Sequence, residues 1–313
     1  MKIVVLDDYQ RAARRYGAFD SLPDASVSVL HEHIDDPAEL AEALRGASVV
    51  VAMRERTPFG DFTLFPDLRL LVTTGMANAA IDLAAAASAG VTVCGTTGSG
   101  VSTAELTWAL ILACRRHVVT EDRALREGRW QTTVGFDLAG STLGVLGLGR
   151  LGTQVARIGQ AFDMRVIAWS QNLSASQAAS AGATLVTKGE LLASADVLTI
   201  HLKLSDRTRG LIGAPELAAM KPSAVLINTS RGPIVDEAAL VAALTTGAIA
   251  GAGLDVYGTE PLPLGNPLRG APNTVLTPHL GYVTDATYRT WYEQIVENIA
   301  AWRAGAPVRV LNP

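Results

Sequence analysis

Three residues whose side chains can share one reaction follow apolar runs in the last third of the chain. Arg231 comes directly after VLINTS, Glu260 lies in LDVYGTEPLP, and His279 lies in LTPHLG. Histidine titrates near neutrality and can donate or accept a proton, while arginine is permanently charged and can bind a carboxylate or polarise a carbonyl oxygen. A glutamate beside the histidine would orient its ring and favour the imidazolium. Taken singly, they are equally consistent with a packing histidine, a surface glutamate and an interface arginine.

A glycine-rich motif upstream predicts the cofactor that this chemistry would use. GLGRLG, which begins at Gly147, follows the strand-like TLGVL and precedes the helix-like TQVARIGQAF. In this setting Gly147 permits a tight turn, Gly149 lets the backbone approach a pyrophosphate, and Gly152 lets the helix pack closely on the strand. Arg150 and Leu151 complete the motif at a helix N-terminus, which favours phosphate groups. The motif therefore predicts a dinucleotide-binding unit.

The residues that would face the adenosine ribose leave the choice of dinucleotide open. About 20 residues past such a motif, an NAD site usually carries an acidic residue. Here the second strand ends at Trp169 and is followed by Ser170, Gln171 and Asn172. These side chains can hydrogen-bond either ribose form, and no lysine or arginine lies nearby in the sequence to hold a 2′-phosphate. NAD and NADP are both compatible with the sequence.

Short apolar runs alternate with alanine-rich stretches of helical length through the whole chain. The main runs are residues 3–6, 49–51, 70–73, 91–93, 143–146, 165–169, 197–202 and 224–228. Continuous rather than alternating hydrophobicity marks strands covered on both faces, so the pattern predicts parallel sheets and an α/β fold. Between them, residues 102–130 are predicted to form the longest helix, opened by a capping box at Ser102 and broken near Gly128.

Composition limits the function classes. A length of 313 residues predicts two domains, and the 30 acidic and 26 basic residues give a net charge of −4, which argues against a nucleic-acid partner. Cys94 and Cys114 have no metal or disulfide spacing and are expected to be buried thiols. No metal site is predicted. The N-terminal residues resemble neither a signal peptide nor a membrane span, so we expect a cytoplasmic protein without a membrane partner.

The order and spacing of five motifs resemble the D-isomer-specific 2-hydroxyacid dehydrogenase family over nearly the whole chain. The motifs are GLGRLG, HLKLSDRTRGLIG, MKPSAVLINTSRGPIVDEAAL, LDVYGTEPLP and LTPHLG. The resemblance implies two doubly wound parallel-sheet domains: a discontinuous flavodoxin-like substrate domain, residues 1–99 plus 283–313, and a Rossmann coenzyme domain, residues 100–282. It also implies a homodimer through the coenzyme domain, and NAD(P)-dependent interconversion of a small 2-keto acid and a D-2-hydroxy acid by hydride transfer.

Carried over position by position, the resemblance assigns roles to particular residues. It makes Arg231, Glu260 and His279 the catalytic set, with His279 as general acid and base. Cofactor contacts fall on the glycine motif and on Ser170, His201, Thr229 and Asp255, the last near the nicotinamide carboxamide. The remaining histidines, His31, His33 and His117, are not assigned to chemistry, and His201 is not assigned to proton transfer.

Substrate recognition is predicted from a loop that departs from the family's commonest form, G-x-G-x-D. The loop reads TTGMANAA, and its backbone N–H groups at Gly75, Met76 and Ala77 are expected to bind a carboxylate, with Asn78 orienting the loop. Two further substrate contacts are expected at Arg54, which is equally consistent with an exposed or domain-bridging role, and at Tyr282. Many relatives carry a small residue at the position of Tyr282, so we expect a narrowed or altered pocket.

A scaffold protein is the alternative interpretation. Transcriptional corepressors of this superfamily sense NAD(H) and bind protein partners. The catalytic set needs no explanation if the chain turns over substrate, so the enzyme is the simpler interpretation.

Overall fold

Two separate parallel sheets organise the chain, and each belongs to its own unit of the computed structural model, which describes residues 1–54, 56–98 and 100–312. The first unit comprises residues 1–99 and 284–313, and the second unit comprises residues 100–283.

The first unit contains a five-stranded parallel sheet with the order β2-β1-β3-β4-β5. Its strands are β1 (Lys2–Val5), β2 (Ser26–Val29), β3 (Val49–Ala52), β4 (Leu70–Thr73) and β5 (Thr92–Cys94). The helices around it are α1 (Ala13–Tyr16), α2 (Pro37–Ala43) and α3 (Leu83–Ser88), with 3-10 turns at Phe19–Ser21 and Phe62–Leu64. The strand order is that of flavodoxin. Strands β3 and β4 are buried along their whole length, as expected for strands covered on both faces.

The C-terminal helix, Asp285–Arg303, completes the first unit. Its buried Asn298 donates from Nδ2 to the carbonyl of Gly95 at 2.9 Å, just past β5. Trp291 donates from Nε1 to the carbonyl of Thr97 at 3.1 Å. The end of the chain therefore packs against the segment that leaves β5, which explains why this unit is discontinuous in sequence.

The second unit contains a seven-stranded parallel sheet with the order β12-β11-β10-β9-β6-β7-β8. Its strands are β6 (Thr142–Leu146), β7 (Arg165–Trp169), β8 (Thr184–Leu185), β9 (Val197–Ile200), β10 (Val225–Asn228), β11 (Gly251–Leu254) and β12 (Thr274–Leu276). Its helices are α4 (Val101–Arg115), α5 (Val118–Arg126), α6 (Arg150–Ala161), α7 (Ala175–Ser180), α8 (Lys188–Ser194), α9 (Ala214–Ala218) and α10 (Glu237–Thr246), with 3-10 turns at Gly232–Ile234 and Pro267–Gly270. The order reverses between β6 and β9, which is the Rossmann switch point where ligands bind. The α/β class with two doubly wound sheets is confirmed.

The helix predicted over residues 102–130 is wrong in two respects. It is already interrupted at His117, whose φ of +50° lies in the left-handed region and separates α4 from α5, although α5 does end near Gly128, at Arg126. Ser102 lies inside α4 rather than at its cap, because the helix begins after Gly100. Two edge strands, β2 and β8, were not predicted, since their short sequences lack a continuous apolar run.

Candidate active site

His279 and Glu260 form a close pair at the carboxyl ends of two adjacent strands of the second unit. His279 Nδ1 lies 2.5 Å from Glu260 Oε2, and their side chains are 15% and 21% exposed. The other carboxylate oxygen, Oε1, accepts from the backbone N–H of Tyr257 at 2.9 Å. Because both oxygens are engaged, the carboxylate orientation is fixed. A carboxylate on Nδ1 leaves Nε2 as the ring nitrogen for proton transfer.

A second carboxylate holds the turn that carries His279. Asp255 is 1% exposed; its Oδ1 accepts from Thr277 Oγ1 at 2.6 Å and from the N–H of Leu280 at 2.7 Å, and Oδ2 accepts from the N–H of Gly281 at 2.9 Å. Burial raises the pKa of Asp255, although these hydrogen bonds act in the opposite direction. His279 itself has a φ of +55°. Sequence reasoning missed this positioning role, which adds to the predicted nicotinamide contact.

The turn that carries Arg231 is fixed by the end of β10. Asn228, which is 1% exposed, accepts from the N–H of Ser230 at 3.0 Å and donates from Nδ2 to the carbonyl of Arg231 at 3.0 Å. Arg231 Nη1 donates to the carbonyl of Ser230 at 2.7 Å. A Cβ on Gly232 would lie 2.0 Å from the carbonyl carbon of Tyr257. The Arg231 turn therefore packs directly on the loop that follows β11.

Tyr282 lies beside His279 within the second unit. Its ring is edge-to-face with the imidazole, with 5.6 Å between centroids and 63° between planes, and the residue is 7% exposed. The aromatic ring therefore contacts one side of the imidazole, where the sequence predicted an effect on the pocket.

The GLGRLG turn has the geometry that a dinucleotide requires. Gly147 has a φ of +100°, and its N–H donates to the carbonyl of Trp169 at 2.9 Å. A Cβ on Gly152 would lie 2.0 Å from the carbonyl oxygen of Gly147, whereas a Cβ on Gly149 would meet no atom within 4 Å. The first and third glycines are needed for the turn and for packing. Gly149, at the N-cap of α6, faces open space of the kind that a pyrophosphate would fill.

A cation that the sequence did not reveal lies beside the residues predicted to face the ribose. Arg207, in the loop after β9, donates from Nη1 to Gln171 Oε1 at 3.5 Å. The two residues are 36 positions apart, so the expectation that no arginine accompanies Ser170 and Gln171 holds in sequence but is wrong in space. Ser170 is half-buried, and Gln171 and Arg207 are exposed.

His201 and Thr229 follow β9 and β10, near the glycine turn and α4 respectively. His201 Nε2 lies 2.9 Å from Thr199 Oγ1, and Nδ1 is buried without a hydrogen-bond partner among the described residues. Burial lowers the pKa of His201 to about 3, so the ring is neutral. Thr229 Oγ1 lies 2.8 Å from Thr107 Oγ1 of α4. Both residues directly follow the carboxyl ends of strands of the second sheet, and their cofactor contacts stay predictions.

The predicted substrate residues of the first unit form a cluster of their own. A Cβ on Gly75 would lie 2.5 Å from Arg54 Nη1, so the guanidinium covers the bare backbone there. Asn78 donates from Nδ2 to the carbonyl of Arg54 at 2.6 Å, and its Oδ1 accepts from the N–H of Ala80 at 2.9 Å. Asn78 thus links the Arg54 loop to the loop at Gly75, and its role in orienting a substrate-binding loop stays a prediction.

One part of the predicted carboxylate contact is incorrect. The N–H of Gly75 donates to Thr96 Oγ1 at 2.9 Å, so this amide is used inside the loop. Met76 and Ala77 are exposed, with Met76 46% accessible. Their amides stay candidates for an anion contact. At Gly75, the absence of a side chain leaves room for the Arg54 guanidinium.

Other kinds of site are not found in the described part of the chain. There, no three histidine, cysteine, aspartate or glutamate side chains come together in a way that could hold a metal ion. No helix within residues 1–54, 56–98 and 100–312 is long and apolar enough to cross a membrane. Cys94 and Cys114 are both buried, and burial raises the pKa of these thiols to about 11 and about 12.

Comparison with known proteins gives consistent similarities. Residues 108–281 match the family model described as "D-isomer specific 2-hydroxyacid dehydrogenase, NAD binding domain". The chain is 39% identical to a glyoxylate reductase of Aeropyrum pernix over 91% of this chain and 89% of the relative. It is 37% identical to a glycerate dehydrogenase of Methylorubrum extorquens over 88% and 89%. The crystal structure of a putative D-3-phosphoglycerate dehydrogenase from Ralstonia solanacearum superposes with a TM-score of 0.95 at 36% identity, covering 100% of this chain and 97% of that one.

Proposed function

Since the chain belongs to the D-isomer specific 2-hydroxyacid dehydrogenase family and is an NAD(P)-dependent oxidoreductase, we propose that it interconverts a small 2-keto acid and its D-2-hydroxy acid with His279 as general acid and base. The observation that carries the proposal is the 2.5 Å contact between His279 Nδ1 and Glu260 Oε2. The pair lies in the same unit as the glycine turn, at the carboxyl ends of the strands.

In the reductive direction, His279 donates the proton from Nε2 to the keto oxygen as negative charge develops there. When bound, the reduced nicotinamide supplies the hydride to the keto carbon, so one hydride and one proton convert the keto group to a hydroxyl. Glu260 contacts Nδ1 and holds the ring in one orientation, and its own oxygens are fixed. In the oxidative direction, Nε2 accepts the hydroxyl proton. A positioned general acid of this kind contributes about 10²- to 10⁴-fold to rate.

Arg231 is proposed to bind the substrate anion and to polarise the keto oxygen. An arginine guanidinium is a planar fork whose donors match a carboxylate. The turn that carries it is fixed by Asn228 and packs on the loop after β11, so the charge is preorganised relative to that loop. Positive charge that is already in place where an oxyanion develops usually lowers the barrier more than any other single effect.

The first unit is proposed to recognise the substrate carboxylate through Arg54 and the loop at Met76 and Ala77. Two similar proteins are named for reactions of two- and three-carbon acids, glyoxylate and glycerate. We propose the same class of small 2-keto acid for this chain. Tyr282, against the imidazole, is proposed to limit the substituent on the keto carbon.

The cofactor choice is proposed to include NADPH. The strand-end residues Ser170, Gln171 and Asn172 provide no carboxylate to repel a 2′-phosphate. Arg207 lies next to Gln171 and can hold such a phosphate by charge-assisted hydrogen bonds. Both NADH and NADPH are therefore expected to serve, with Arg207 favouring NADPH.

The reaction is tested by following NADH and NADPH oxidation against glyoxylate, hydroxypyruvate, pyruvate, phenylpyruvate and branched 2-keto acids. Turnover that yields the D product supports the proposal. Bound dinucleotide without turnover on any acid would instead favour the NAD(H)-sensing scaffold, which the similarities to named reductases and dehydrogenases do not favour. The cytoplasmic location stays a prediction from the sequence.

We also propose that the second unit forms the homodimer through the segment Val118–Phe136. Six large apolar side chains are exposed within these 19 positions: Val118, Val119, Leu125, Trp130, Val134 and Phe136. Monomers rarely expose such a patch. A cavity of about 670 Å³ lies beside it, lined by Arg115, Phe136 and residues 269–276 among others. A unit with both projecting apolar side chains and a cavity suits a two-fold contact, in which the side chains of each copy enter the cavity of the other.

Light scattering after size exclusion tests this contact. Trp130→Ser combined with Val134→Ser should convert a wild-type dimer into a monomer. The matched control is Leu264→Ser, since Leu264 is 90% exposed and lies outside the segment. A monomeric wild type, or a double variant that stays dimeric, would contradict the assignment.

A further inference from the structure

Asp7 is a buried carboxylate of the first unit that joins the segments following three strands. It comes after β1 and is 2% exposed. Its Oδ2 accepts from Thr57 Oγ1, after β3, at 2.9 Å, and its Oδ1 lies 2.9 Å from His33 Nδ1, after β2. The carboxyl ends of β1, β2 and β3 are thus tied through one side chain. No step of the proposed reaction uses Asp7.

His33 holds the Asp7 carboxylate in one orientation. Its Nε2 lies 3.1 Å from Asp35 Oδ1, so both ring nitrogens face carboxylates and the side chain is 9% exposed. The hydrogen bond to Asp7 raises the pKa of His33 and outweighs burial, which acts in the opposite direction. The ring therefore donates from Nδ1 to Asp7, and Tyr9 OH approaches the same oxygen at 3.5 Å. Asp7 is left with Oδ2 for Thr57.

Thr57 belongs to the loop that carries Arg54. Arg54 has a φ of +53°, a conformation that non-glycine residues keep only where the surroundings fix it. Its N–H donates to Thr74 Oγ1 at 2.9 Å, and its carbonyl accepts from Asn78 Nδ2 at 2.6 Å. The loop is therefore fixed to residues 74–78 on one side and, through Thr57, to Asp7 on the other.

The outcome of this bracing is the placement of one guanidinium. Arg54 Nη1 lies 2.5 Å from the position that a Cβ on Gly75 would take. Thr57 is 3% exposed, so its hydroxyl has little water to replace Asp7. Loss of the Thr57 hydroxyl would remove the hydrogen bond that ties this side of the loop to Asp7, and would leave the contact of Arg56 with the Tyr9 ring, 5.1 Å from its centroid.

We infer that Asp7 and Thr57 are positioning residues for substrate binding: they brace the Arg54 loop so that the guanidinium stays against Gly75 and meets the substrate carboxylate. The inference rests on the proposed function, because it uses the carboxylate-binding role proposed for Arg54. Asp7 and Thr57 touch neither substrate nor cofactor in this scheme, so they act through Arg54 alone.

Thr57→Val removes the hydroxyl and keeps the shape of the side chain. We expect KM for a 2-keto acid that the wild type reduces to rise about tenfold, the size set by losing one hydrogen bond to a charged group. The kcat should stay within about twofold and the dinucleotide Kd unchanged, because the second unit is intact. Thr57→Ser should restore KM. Ser48→Ala is the control, since Ser48 Oγ donates to the carbonyl of Lys2 at 3.3 Å at the opposite end of β3.

A double-variant cycle separates positioning from general loosening of the fold. In an Arg54→Met background, Thr57→Val should add nothing to KM, because residues that act through one partner are not additive. Asp7→Ala is the second variant if Thr57→Val does not fold. It is more direct than Asp7→Asn, because it removes the acceptor of the Thr57 hydroxyl, which an asparagine amide oxygen could keep, so KM should rise as in Thr57→Val.

Oxamate, an unreactive 2-keto acid analogue, makes the test independent of turnover when its Kd is measured with NADH present. A raised oxamate Kd in Thr57→Val supports the inference even if the wild type proves inactive, in which case only the proposed function fails. Normal wild-type turnover with KM and oxamate Kd unchanged in Thr57→Val would overturn the inference alone. An additive double variant, or a wild type that binds no oxamate, would overturn it as well.

Discussion

Gly232 and Tyr257 approach so closely that a Cβ on Gly232 would lie 2.1 Å from the Tyr257 carbonyl oxygen. This contact joins the turn of Arg231 to the loop that presents Glu260. The spacing between the Arg231 turn and the Glu260 loop is therefore set by a contact of backbone with backbone, which cannot move aside as a flexible side chain can.

Gly232→Ala should consequently be one of the most damaging single-methyl changes in the second unit. Overpacking typically costs about 1–3 kcal/mol, and here the clash is with a peptide unit, so the loss should lie at the upper end. Thermal unfolding and kcat/KM measure it. Gly258→Ala is the matched control, because a Cβ there meets no atom nearer than 3.6 Å. Equal unfolding temperatures for the two variants would show that the turn can move.

His279→Asn should lower kcat by about 10²- to 10⁴-fold, since it removes the proposed proton donor. Asparagine tolerates the positive φ of this position, so the turn should persist and dinucleotide affinity should stay near the wild-type value. Steady-state turnover assays give kcat, and fluorescence titration with NADH gives the dinucleotide affinity. His31→Asn controls for the loss of a histidine in the other unit. Full activity in His279→Asn would refute the mechanism.

Arg207→Ala should selectively weaken the binding of NADPH. Loss of a charge-assisted contact to a 2′-phosphate removes about 1.5–3 kcal/mol, which corresponds to roughly a 10- to 100-fold rise in KM for NADPH. The KM for NADH should hardly change. Gln171→Glu, which places a carboxylate beside the same ribose, should shift preference further toward NADH. If NADPH and NADH respond equally to Arg207→Ala, the arginine does not read the 2′-position.

His201 should make the fold sensitive to acid. Its pKa in the folded chain, about 3, lies below the ordinary histidine pKa of 6.5, so the unfolded chain binds the extra proton as pH falls between these values. Above about pH 6.5 this group does not change the free energy of unfolding. As the pH falls from about 6.5 toward about 3, the free energy of unfolding decreases progressively. His201→Gln can still contact Thr199 without titrating, and its melting temperature should fall less steeply from about pH 6.5 toward about pH 4 than that of the wild type. Parallel curves would contradict the assignment.

Much of the architecture could be predicted because strands covered on both faces have continuous apolar sequences. Strands β3, β4 and β10 follow this rule. Edge strand β2 reads SVSV and is only half-buried, so no run marks it. The break at His117 was missed because a non-glycine residue adopts the left-handed conformation there, and local sequence gives little warning of that choice.

The candidate site was predictable where chemistry and strand ends coincide, as for His279 and Glu260. It was not predictable where residues far apart in sequence meet. Arg207 reaches Gln171 through the pairing of β6 with both β7 and β9, and Asp7 meets Thr57 through the pairing of β1 with β3. The use of the Gly75 amide by Thr96 likewise depends on the pairing of β4 with β5.

The two-unit arrangement has a consequence for how new activities can arise. Arg231, Glu260 and His279 all belong to the second unit, whereas Arg54 and the loop at Gly75 belong to the first unit. In the proposed mechanism, the proton chemistry and the Arg231 contact thus belong to one unit and the Arg54 contact to the other. A chimaera that keeps residues 100–283 and takes its first unit from a relative should retain the proposed reaction, while its carboxylate affinity follows the donor and the limit that Tyr282 sets on the substituent stays.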